Sequence, residues 1–347
     1  MGSDLTDLTG LGRARRLSGG VSGTPPEIHT LIAARLLDVE AMFRDNLASP
    51  VAIVDELGGF VAESGGKRVR PTLHLLCARL CGYQGNKDII LATVLEFIHC
   101  ATLIHDDIID GATTRRGRPS ANRNWGNNVS VLFGDYLFAK AMEMALEAES
   151  LQIMERLAEV TLRMTEGEML QTRYAGRIDL TVAEYLDLIE RKTAALFGCC
   201  CELAGKLDER TGDEGGKALR NYGIKLGLAF QLVDDLLDFI GDPDALGKPA
   251  ANDLREGKAT LAVIDLLSTG SLRGRNSVAA IMGGEGAVGA EIAKLTGLLE
   301  ESGAIDRTYQ RAQAFAQEAI AQLEIFDDSP SRRALMALPE LLLHRDR

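Results

Sequence analysis

The sequence has little histidine, no excess of positive charge and no long apolar run, and each of these shortages argues against a class of protein. Only five of its 347 residues are histidine, which does not favour a zinc enzyme. The formal net charge of −12 argues against a nucleic-acid-binding protein held by general electrostatics. No apolar run reaches the roughly 18 residues that a membrane span needs, so we expect no transmembrane segment.

Cysteine and proline are also scarce. The six cysteines, which are Cys77, Cys81, Cys100 and the run from Cys199 to Cys201, form no CxxC pair. We interpret them as small apolar residues of a protein in the reducing cytoplasm. The nine prolines fall mostly between helical patterns, and no alternating strand pattern stands out.

Apolar residues at helical spacing dominate the chain, as in "IILATVLEFIHCATLIHDDII" from Ile89 onward. This periodicity predicts an all-α bundle. Residues 1–24, rich in Gly, Ser and Thr, are predicted to form a flexible tail ahead of a single helical domain over residues 25–347. The glycine-rich stretch "SLRGRNSVAAIMGGEGAVGAE", residues 271–291, is predicted to be a loop region.

Two acidic triplets of identical spacing stand inside apolar helical patterns. Residues four apart share a helix face, so the outer carboxylates of each triplet point the same way. Two carboxylates ~6 Å apart at an effective dielectric constant of ~20 repel by roughly 3 kcal/mol, which predicts cations that offset the repulsion. Hard oxygen ligands of this kind suit Mg²⁺ shared with substrate phosphates. The triplets are Asp106, Asp107 and Asp110 in "LIHDDIID", and Asp234, Asp235 and Asp238 in "FQLVDDLLDF".

Basic residues cluster beside glycines in three places of this acidic protein. Guanidinium groups match phosphate geometry and lysine supplies a point charge, so each cluster is a candidate anion site. A solvated basic face is the alternative for any one cluster alone. Together with the carboxylates they predict a diphosphate clamp. The clusters are Lys67, Arg68 and Arg70; Arg115, Arg116 and Arg118; and Lys248, Arg255 and Lys258.

From roughly residue 30 to the C-terminus, the chain resembles the trans-isoprenyl diphosphate synthase, or polyprenyl synthetase, family. The motifs that carry the resemblance are "GGKRVRP", "HDDIIDGATTRRGRPSAN", "GEMLQ", "KTAALF", "QLVDDLLDF" and "GKPAANDLREGKAT". The resemblance implies an isoprenoid-synthase-type helical bundle around a central cavity, usually a homodimer. It also implies the Mg²⁺-dependent head-to-tail (1'-4) condensation of isopentenyl diphosphate with an allylic diphosphate.

The resemblance also assigns roles to individual residues. The six aspartates of the two triplets would bind Mg²⁺ through the allylic diphosphate. Isopentenyl diphosphate would be held by Lys67, Arg70, His99 and Arg116. The allylic diphosphate would be held by Arg115, Lys192, Gln231, Lys248 and Lys258. Lys192, Thr193 and Gln231 would act as catalytic residues, with Thr193 at an irregular point of its helix.

Product length depends on the depth of the cavity. Ala101 and Thr102 lie one turn before Asp106, where short-chain relatives carry an aromatic residue. Small residues here would let a chain extend about one more turn, ~5.4 Å, or further, which favours a long all-trans product. Close helix packing is the alternative explanation for these small residues. Facing candidates for the cavity floor are Met154, Leu157 and Thr161.

Three other functions stay open at this point. A geranylgeranyl or farnesyl diphosphate synthase would use the same chemistry with a shorter product. A class I terpene cyclase usually replaces the second acidic triplet, which this chain keeps. A regulatory subunit of a heteromeric synthase typically loses one triplet. Peripheral membrane contact for product release is a further possibility, whereas nucleic acid is not an expected partner.

Overall fold

The computed structural model describes residues 26–115, 117–241, 250–284 and 288–343. The tail predicted over residues 1–24 lies outside these ranges, as do the predicted ligands Arg116 and Lys248. Helices account for most of the described residues, so the predicted all-α class is confirmed. One antiparallel hairpin of two-residue strands, β1 (Thr114–Arg115) and β2 (Arg118–Pro119), follows the first acidic triplet, with Arg115 opposite Arg118.

The helices follow one another through short connections. The first group comprises α1 (Pro26–Leu47), α2 (Ala52–Glu63), α3 (Val69–Leu80), α4 (Lys87–Ile109), α5 (Ala121–Trp125), α6 (Asn127–Ala145), α7 (Leu151–Tyr174) and α8 (Val182–Ile189). A π-helical segment (Glu190–Ala194) then leads directly into α9 (Ala195–Gly205). The remainder are α10 (Gly212–Ile240), α11 (Asn252–Arg255), α12 (Leu261–Ser268), α13 (Leu272–Met282), α14 (Val288–Glu301), α15 (Ala304–Ala321) and α16 (Pro330–Leu343).

The helix that carries the first acidic triplet, α4, is a central element of the core. Leu91, Leu95 and Ile98, spaced by four and three residues, are all fully buried in a cluster shared with α6, α7 and α9. Burying a leucine or isoleucine side chain contributes about 1.5–3 kcal/mol relative to exposure. Among the described residues, α4 is the one helix long and apolar enough to cross a membrane, and 67% of its most apolar window is buried inside the protein.

The second triplet is placed by close contact between α10 and the preceding chain. A side chain on Gly227 would bring its Cβ to 2.6 Å from the Ala194 Cα atom. Only glycine allows α10 to approach the π-helical segment this closely. This contact sets the distance between the second triplet, at the end of α10, and the residues at positions 192 and 193.

The loop predicted over residues 271–291 is wrong for residues 272–282, which form α13, and for residues 288–291, which begin α14. Ser271 caps this helix, because its Oγ accepts a hydrogen bond from the Gly274 backbone N–H at 3.1 Å. Val278 and Ile281 are then buried at helical spacing in the C-terminal core. An N-terminal cap and three-residue apolar spacing outweigh the low helix propensity of glycine here.

Candidate active site

The first acidic triplet lies at the C-terminal end of α4, where each aspartate faces a basic side chain. Asp107 is buried, whereas Asp106 and Asp110 are half-buried and open toward the same side. The predicted offsetting cations are therefore present within the protein. At the closest nitrogen–oxygen distances, Asp106 is 3.7 Å from Lys192, Asp107 is 2.7 Å from Arg115, and Asp110 is 2.8 Å from Lys258.

The second triplet lies near the C-terminal end of α10. Asp234 is exposed, whereas Asp235 and Asp238 are buried. The Asp238 carboxylate accepts a hydrogen bond from the Asp253 backbone N–H at 3.1 Å, and its carbonyl accepts one from the Ala251 N–H at 2.8 Å. These bonds hold the start of α11 against α10. Asp234 is consequently the member of this triplet most accessible to a ligand.

A chain of hydrogen bonds fixes Asp235. The Tyr185 hydroxyl donates to one carboxylate oxygen, and the Gln231 Nε2 donates to the other at 2.7 Å. The Thr193 hydroxyl in turn donates to the Gln231 Oε1 at 2.9 Å. Tyr185, which is 3% exposed, carried no motif signal in the sequence. Its position seven residues before Lys192, in a helical pattern, is the one signal that could have found it.

Lys192 and Thr193 project from the π-helical segment Glu190–Ala194, which agrees with the irregularity expected at Thr193. Such a segment is a common feature of functional sites. α7 packs closely on it, since a Cβ on Gly167 would stand 2.7 Å from the Lys192 backbone nitrogen. The next residue, Glu168, places its carboxylate 2.5 Å from the Lys192 ammonium.

Lys192, Thr193 and Asp235 line one cavity of about 740 Å³, a volume that includes solvent at its mouth. The apolar part of its wall includes Leu180, Leu188 and Ile189. Polar residues of α7, α8, the π-helical segment, α10 and the chain between α10 and α12 line the rest, and the aspartates of the first triplet are not among the lining residues. Of the predicted site residues it gathers Lys192, Thr193, Gln231, Asp235 and Lys258, and it adds Gln171, Tyr185 and Asp253.

The predicted isopentenyl diphosphate ligands lie elsewhere among the described residues. Lys67, Arg70 and His99 are half-buried and are not part of the wall of this cavity. The Arg70 guanidinium stands over the Phe197 ring, 5.0 Å from its centroid. The structure thus places Lys67 and Arg70 at the start of α3 and His99 on α4, and none of the three lines the cavity.

Arg68, which the sequence grouped with Lys67 and Arg70, has a structural role. It is buried, and its guanidinium is 2.6 Å from the Glu96 carboxylate and 2.5 Å from the Glu40 carboxylate. Two carboxylates on α1 and α4 therefore hold the turn before α3. Neighbouring Lys67 is half-buried.

The acidic groups raise one another's proton affinity. Burial raises the pKa of Asp106 to about 6, the Lys192 ammonium lowers it, and the carboxylates of Glu168 and Asp110 raise it. Burial also raises the pKa of Asp235 well above its usual value, and the Asp253 carboxylate adds to this effect. Unfavourable carboxylate ionisation of this kind is relieved by cations. The site therefore favours the arrival of further positive charge.

The donor set fits a hard divalent cation that is shared with a ligand. Within the ranges that the structure describes, no three His, Cys, Asp or Glu side chains converge on one point as a closed metal cage. Asp106 and Asp110 are instead half-buried and Asp234 is exposed, so oxygen atoms of both triplets are accessible to an ion. Mg²⁺ keeps several waters and binds through a few carboxylates together with phosphates, which this arrangement suits.

The fold and the site together define a helical bundle of the isoprenoid-synthase type. The polyprenyl synthetase family model matches residues 51–299. The chain belongs to the polyprenyl synthetase family. The family resemblance and the enzyme class expected from the sequence are thereby confirmed.

Individual relatives span both product classes. Octaprenyl diphosphate synthase of Escherichia coli is 38% identical over 322 residues, which are 92% of this chain and 99% of the relative. A short-chain isoprenyl diphosphate synthase of Methanothermobacter thermautotrophicus is 35% identical, over 82% of this chain and 87% of the relative. The crystal structure of a polyprenyl synthase from Caulobacter crescentus, complexed with calcium and isoprenyl diphosphate, is 37% identical with a TM-score of 0.88, covering 95% of this chain and 99% of that one.

Proposed function

We propose that the protein condenses isopentenyl diphosphate with an allylic diphosphate, in the presence of Mg²⁺, to give a long-chain all-trans polyprenyl diphosphate. One observation carries this proposal. Lys192 and Lys258 line one cavity with Asp235 of the second triplet, and their ammonium groups lie 3.7 Å from Asp106 and 2.8 Å from Asp110 of the first. The carboxylates can bind a metal ion while the ammonium groups bind the diphosphate that the metal carries.

The aspartates Asp106, Asp110 and Asp234 would hold Mg²⁺ together with the allylic diphosphate. When bound, the metal supplies positive charge that neutralises the departing diphosphate. Lys192 and Lys258 donate hydrogen bonds to the same diphosphate oxygens as the allylic carbon–oxygen bond breaks. Asp107 and Asp235 are buried and already bound by protein donors, and they therefore support the site by orienting its walls.

The cavity walls stabilise the positive charge that develops on the allylic carbon. The Thr193 hydroxyl donates a hydrogen bond to Gln231, so the lone pairs of the hydroxyl oxygen remain available to a nearby cation. The apolar residues of the cavity wall, Leu180, Leu188 and Ile189, exclude water that would trap the cation. The double bond of isopentenyl diphosphate then forms the new carbon–carbon bond, and a proton is lost from the adduct. Isopentenyl diphosphate would be bound through Lys67, Arg70, His99 and Arg116.

The length of the product depends on the space beyond the first triplet. Ala101 is small, which supports a long chain, as does the similarity to an octaprenyl diphosphate synthase. A shorter product is the second candidate. One observation favours it: Ala101 is 1% exposed and belongs to a packed apolar core that includes Leu157 and Val160 of α7. A growing chain would have to displace or pass these side chains.

The proposal includes a cytoplasmic homodimer. α7 carries an exposed apolar stripe, because Leu151, Leu162 and Met169 are spaced by eleven and seven residues and each is more than half exposed. An unpaired apolar stripe of this kind indicates an interaction surface. In sedimentation velocity, Leu162→Asp combined with Met169→Asp should give a monomer. Leu272→Asp, at an equally exposed residue of α13, should leave the dimer intact.

A product assay tests the central proposal. Purified protein receives Mg²⁺, labelled isopentenyl diphosphate and farnesyl diphosphate, and the dephosphorylated products are sized by chromatography. We expect a ladder that ends at octaprenyl or longer alcohols. An end at geranylgeraniol would keep the reaction and contradict the long product. Absence of elongation with every allylic primer would contradict the enzyme and favour a regulatory subunit.

A further inference from the structure

Two ion pairs connect α7 to the π-helical segment on either side of Gly167. Glu166 lies 2.6 Å from Arg191, and Glu168 lies 2.5 Å from Lys192. Gly167 lets the two backbones approach so closely that both pairs form between adjacent residues. The two pairs are therefore chemically matched but point in different directions.

The two pairs differ in their surroundings. The Glu166 side chain is 44% exposed, and its partner Arg191 also binds Asp187 on the outside of the bundle at 3.0 Å. The Glu168 side chain is 16% exposed, and its partner Lys192 lines the cavity. Gln171 contributes to the inner pair, because its Nε2 donates to the second oxygen of Glu168 at 3.3 Å.

Lys192 has a second carboxylate within reach. Its ammonium is 3.7 Å from the Asp106 carboxylate, beyond hydrogen-bond distance, and 2.5 Å from Glu168. Glu168 thus holds the ammonium back from the first triplet. If Glu168 released it, the closest remaining acidic partner would be Asp106, and a lysine bound there would occupy the oxygen atoms that a metal ion requires.

We propose that Glu168 is a positioning residue that binds Lys192 and keeps it away from Asp106, so that the Asp106 oxygen atoms stay available to a divalent cation. This inference rests on the proposed function, because it concerns the same diphosphate site. The ammonium would be attracted more strongly to Asp106 if it moved from 3.7 Å to hydrogen-bond distance. By Coulomb's law at an effective dielectric constant of about 20, this stronger attraction lowers the affinity of Asp106 for a competing cation about tenfold.

The test measures ligand binding without turnover. Isothermal titration calorimetry gives the affinity of the protein for Mg²⁺ and inorganic pyrophosphate together, in the wild type and in two isosteric variants. We expect Glu168→Gln to weaken binding about tenfold. Glu166→Gln, the matched change in the outer pair, should bind as the wild type does. Equal affinities in the two variants would overturn the proposal.

A double-mutant cycle separates positioning from a direct effect of the Glu168 charge. If Glu168 acts through Lys192, Glu168→Gln should cause no further loss in a Lys192→Ala background. A further loss as large as in the wild-type background would show that the carboxylate acts on the metal by itself and would contradict the proposal. Glu168→Asp, which keeps the charge, should retain most of the affinity; a loss as large as that of Glu168→Gln would also contradict it.

The product assay on the wild type distinguishes a failure of the proposed reaction from a failure of the positioning role of Glu168. If the wild type elongates farnesyl diphosphate and the cycle shows no coupling, the positioning role of Glu168 fails alone. If the wild type binds pyrophosphate with the expected coupling and elongates no primer, the proposed reaction fails while the role of Glu168 in anion binding stands.

Discussion

The Lys258 ammonium lies 2.8 Å from the Asp110 carboxylate, although 148 positions separate the two residues in the chain. Burial lowers the proton affinity of this lysine, but its hydrogen bonds to Asp110 and Glu256 outweigh burial and raise its pKa. Lys258 follows α11, whose first turn is hydrogen bonded to Asp238 of the second triplet. One lysine therefore connects the chain regions that carry both acidic motifs.

This connection predicts that both triplets are needed for turnover. Asp106→Ala and Asp234→Ala should each lower kcat/KM at least about a hundredfold, because each removes charge that binds the metal–diphosphate group. The fold should survive, since Asp106 is half-buried and Asp234 is exposed. The measurement is the rate of isopentenyl diphosphate incorporation, with circular dichroism as the check on folding.

Asp213→Ala, at an exposed residue in the first turn of the same α10 helix, is the matched control and should retain wild-type activity. Near-wild-type rates in both triplet variants would show that the acidic motifs do not form the proposed clamp.

The product-length hypothesis predicts that Ala101→Phe shortens the product. A phenyl ring at this buried position would occupy the path of the growing chain and stop it within about one helical turn of the first triplet. Overpacking also costs typically 1–3 kcal/mol of stability, so thermal unfolding must be followed in parallel. The measurement is the size distribution of dephosphorylated products.

Ala204→Phe provides the control for overpacking. Ala204 is fully buried in the separate core cluster that contains Leu219 and Tyr222. This variant should lose stability without a change in product length. A product of unchanged length from Ala101→Phe would place the cavity floor elsewhere and remove the argument from residue 101.

How far the sequence predicts this site depends on the range of each interaction. Four-residue spacing within one helix was enough to place Asp106 and Asp110 on one side of α4. Helical periodicity was likewise enough for the fold class. Tyr185 was not found, and Glu168 appeared only within the motif "GEMLQ" without a role, because their contacts to Asp235 and Lys192 cross between different helices. No local pattern encodes which helix faces will meet.

Local composition also misled in two places. Arg68 belongs to a basic cluster by sequence, yet Glu40 and Glu96 bind it in the interior. The loop prediction over residues 271–291 counted glycines and overlooked the Ser271 cap of α13. Both errors have the same physical origin, since tertiary burial and a single capping hydrogen bond each outweigh average residue preferences.

Tyr185 offers a test of how the second triplet is oriented. Tyr185→Phe removes the hydroxyl that donates to Asp235 and leaves Gln231 as the side chain bonded to that carboxylate. We expect kcat to fall about tenfold, because Asp235 and the Gln231–Thr193 pair lose their fixed orientation. A hydrogen bond to a charged group contributes about 1.5–3 kcal/mol, so the free energy of unfolding should also decrease.

Tyr222→Phe controls for the loss of stability. Tyr222 is fully buried, and its hydroxyl donates to the Leu335 carbonyl at 2.8 Å, away from the cavity. This variant should unfold more easily and turn over normally when folded. If both variants lower kcat equally, the effect of Tyr185 is one of general stability and does not involve the orientation of Asp235.

A buried histidine in α3 predicts how the fold responds to acid. Burial lowers the pKa of His74 from 6.5 to about 4, against the raising effect of its hydrogen bond from ring Nδ1 to the Cys200 carbonyl, 2.8 Å away. The folded protein therefore keeps His74 neutral while the unfolded chain binds a proton below about pH 6.5. Its contribution to stability is complete above that pH and is lost progressively as the pH falls to about 4.

The size of this effect can be measured against a non-titrating variant. A pKa difference of this size corresponds to about 3 kcal/mol in total, of which about 2 kcal/mol is lost by pH 5. Urea unfolding at about pH 7.5 and pH 5 should show this loss in the wild type, added to the changes from all other groups. His74→Gln should show a pH-dependent change smaller by about 2 kcal/mol. Identical pH dependence in the two proteins would mean that His74 is protonated equally in the folded and unfolded states.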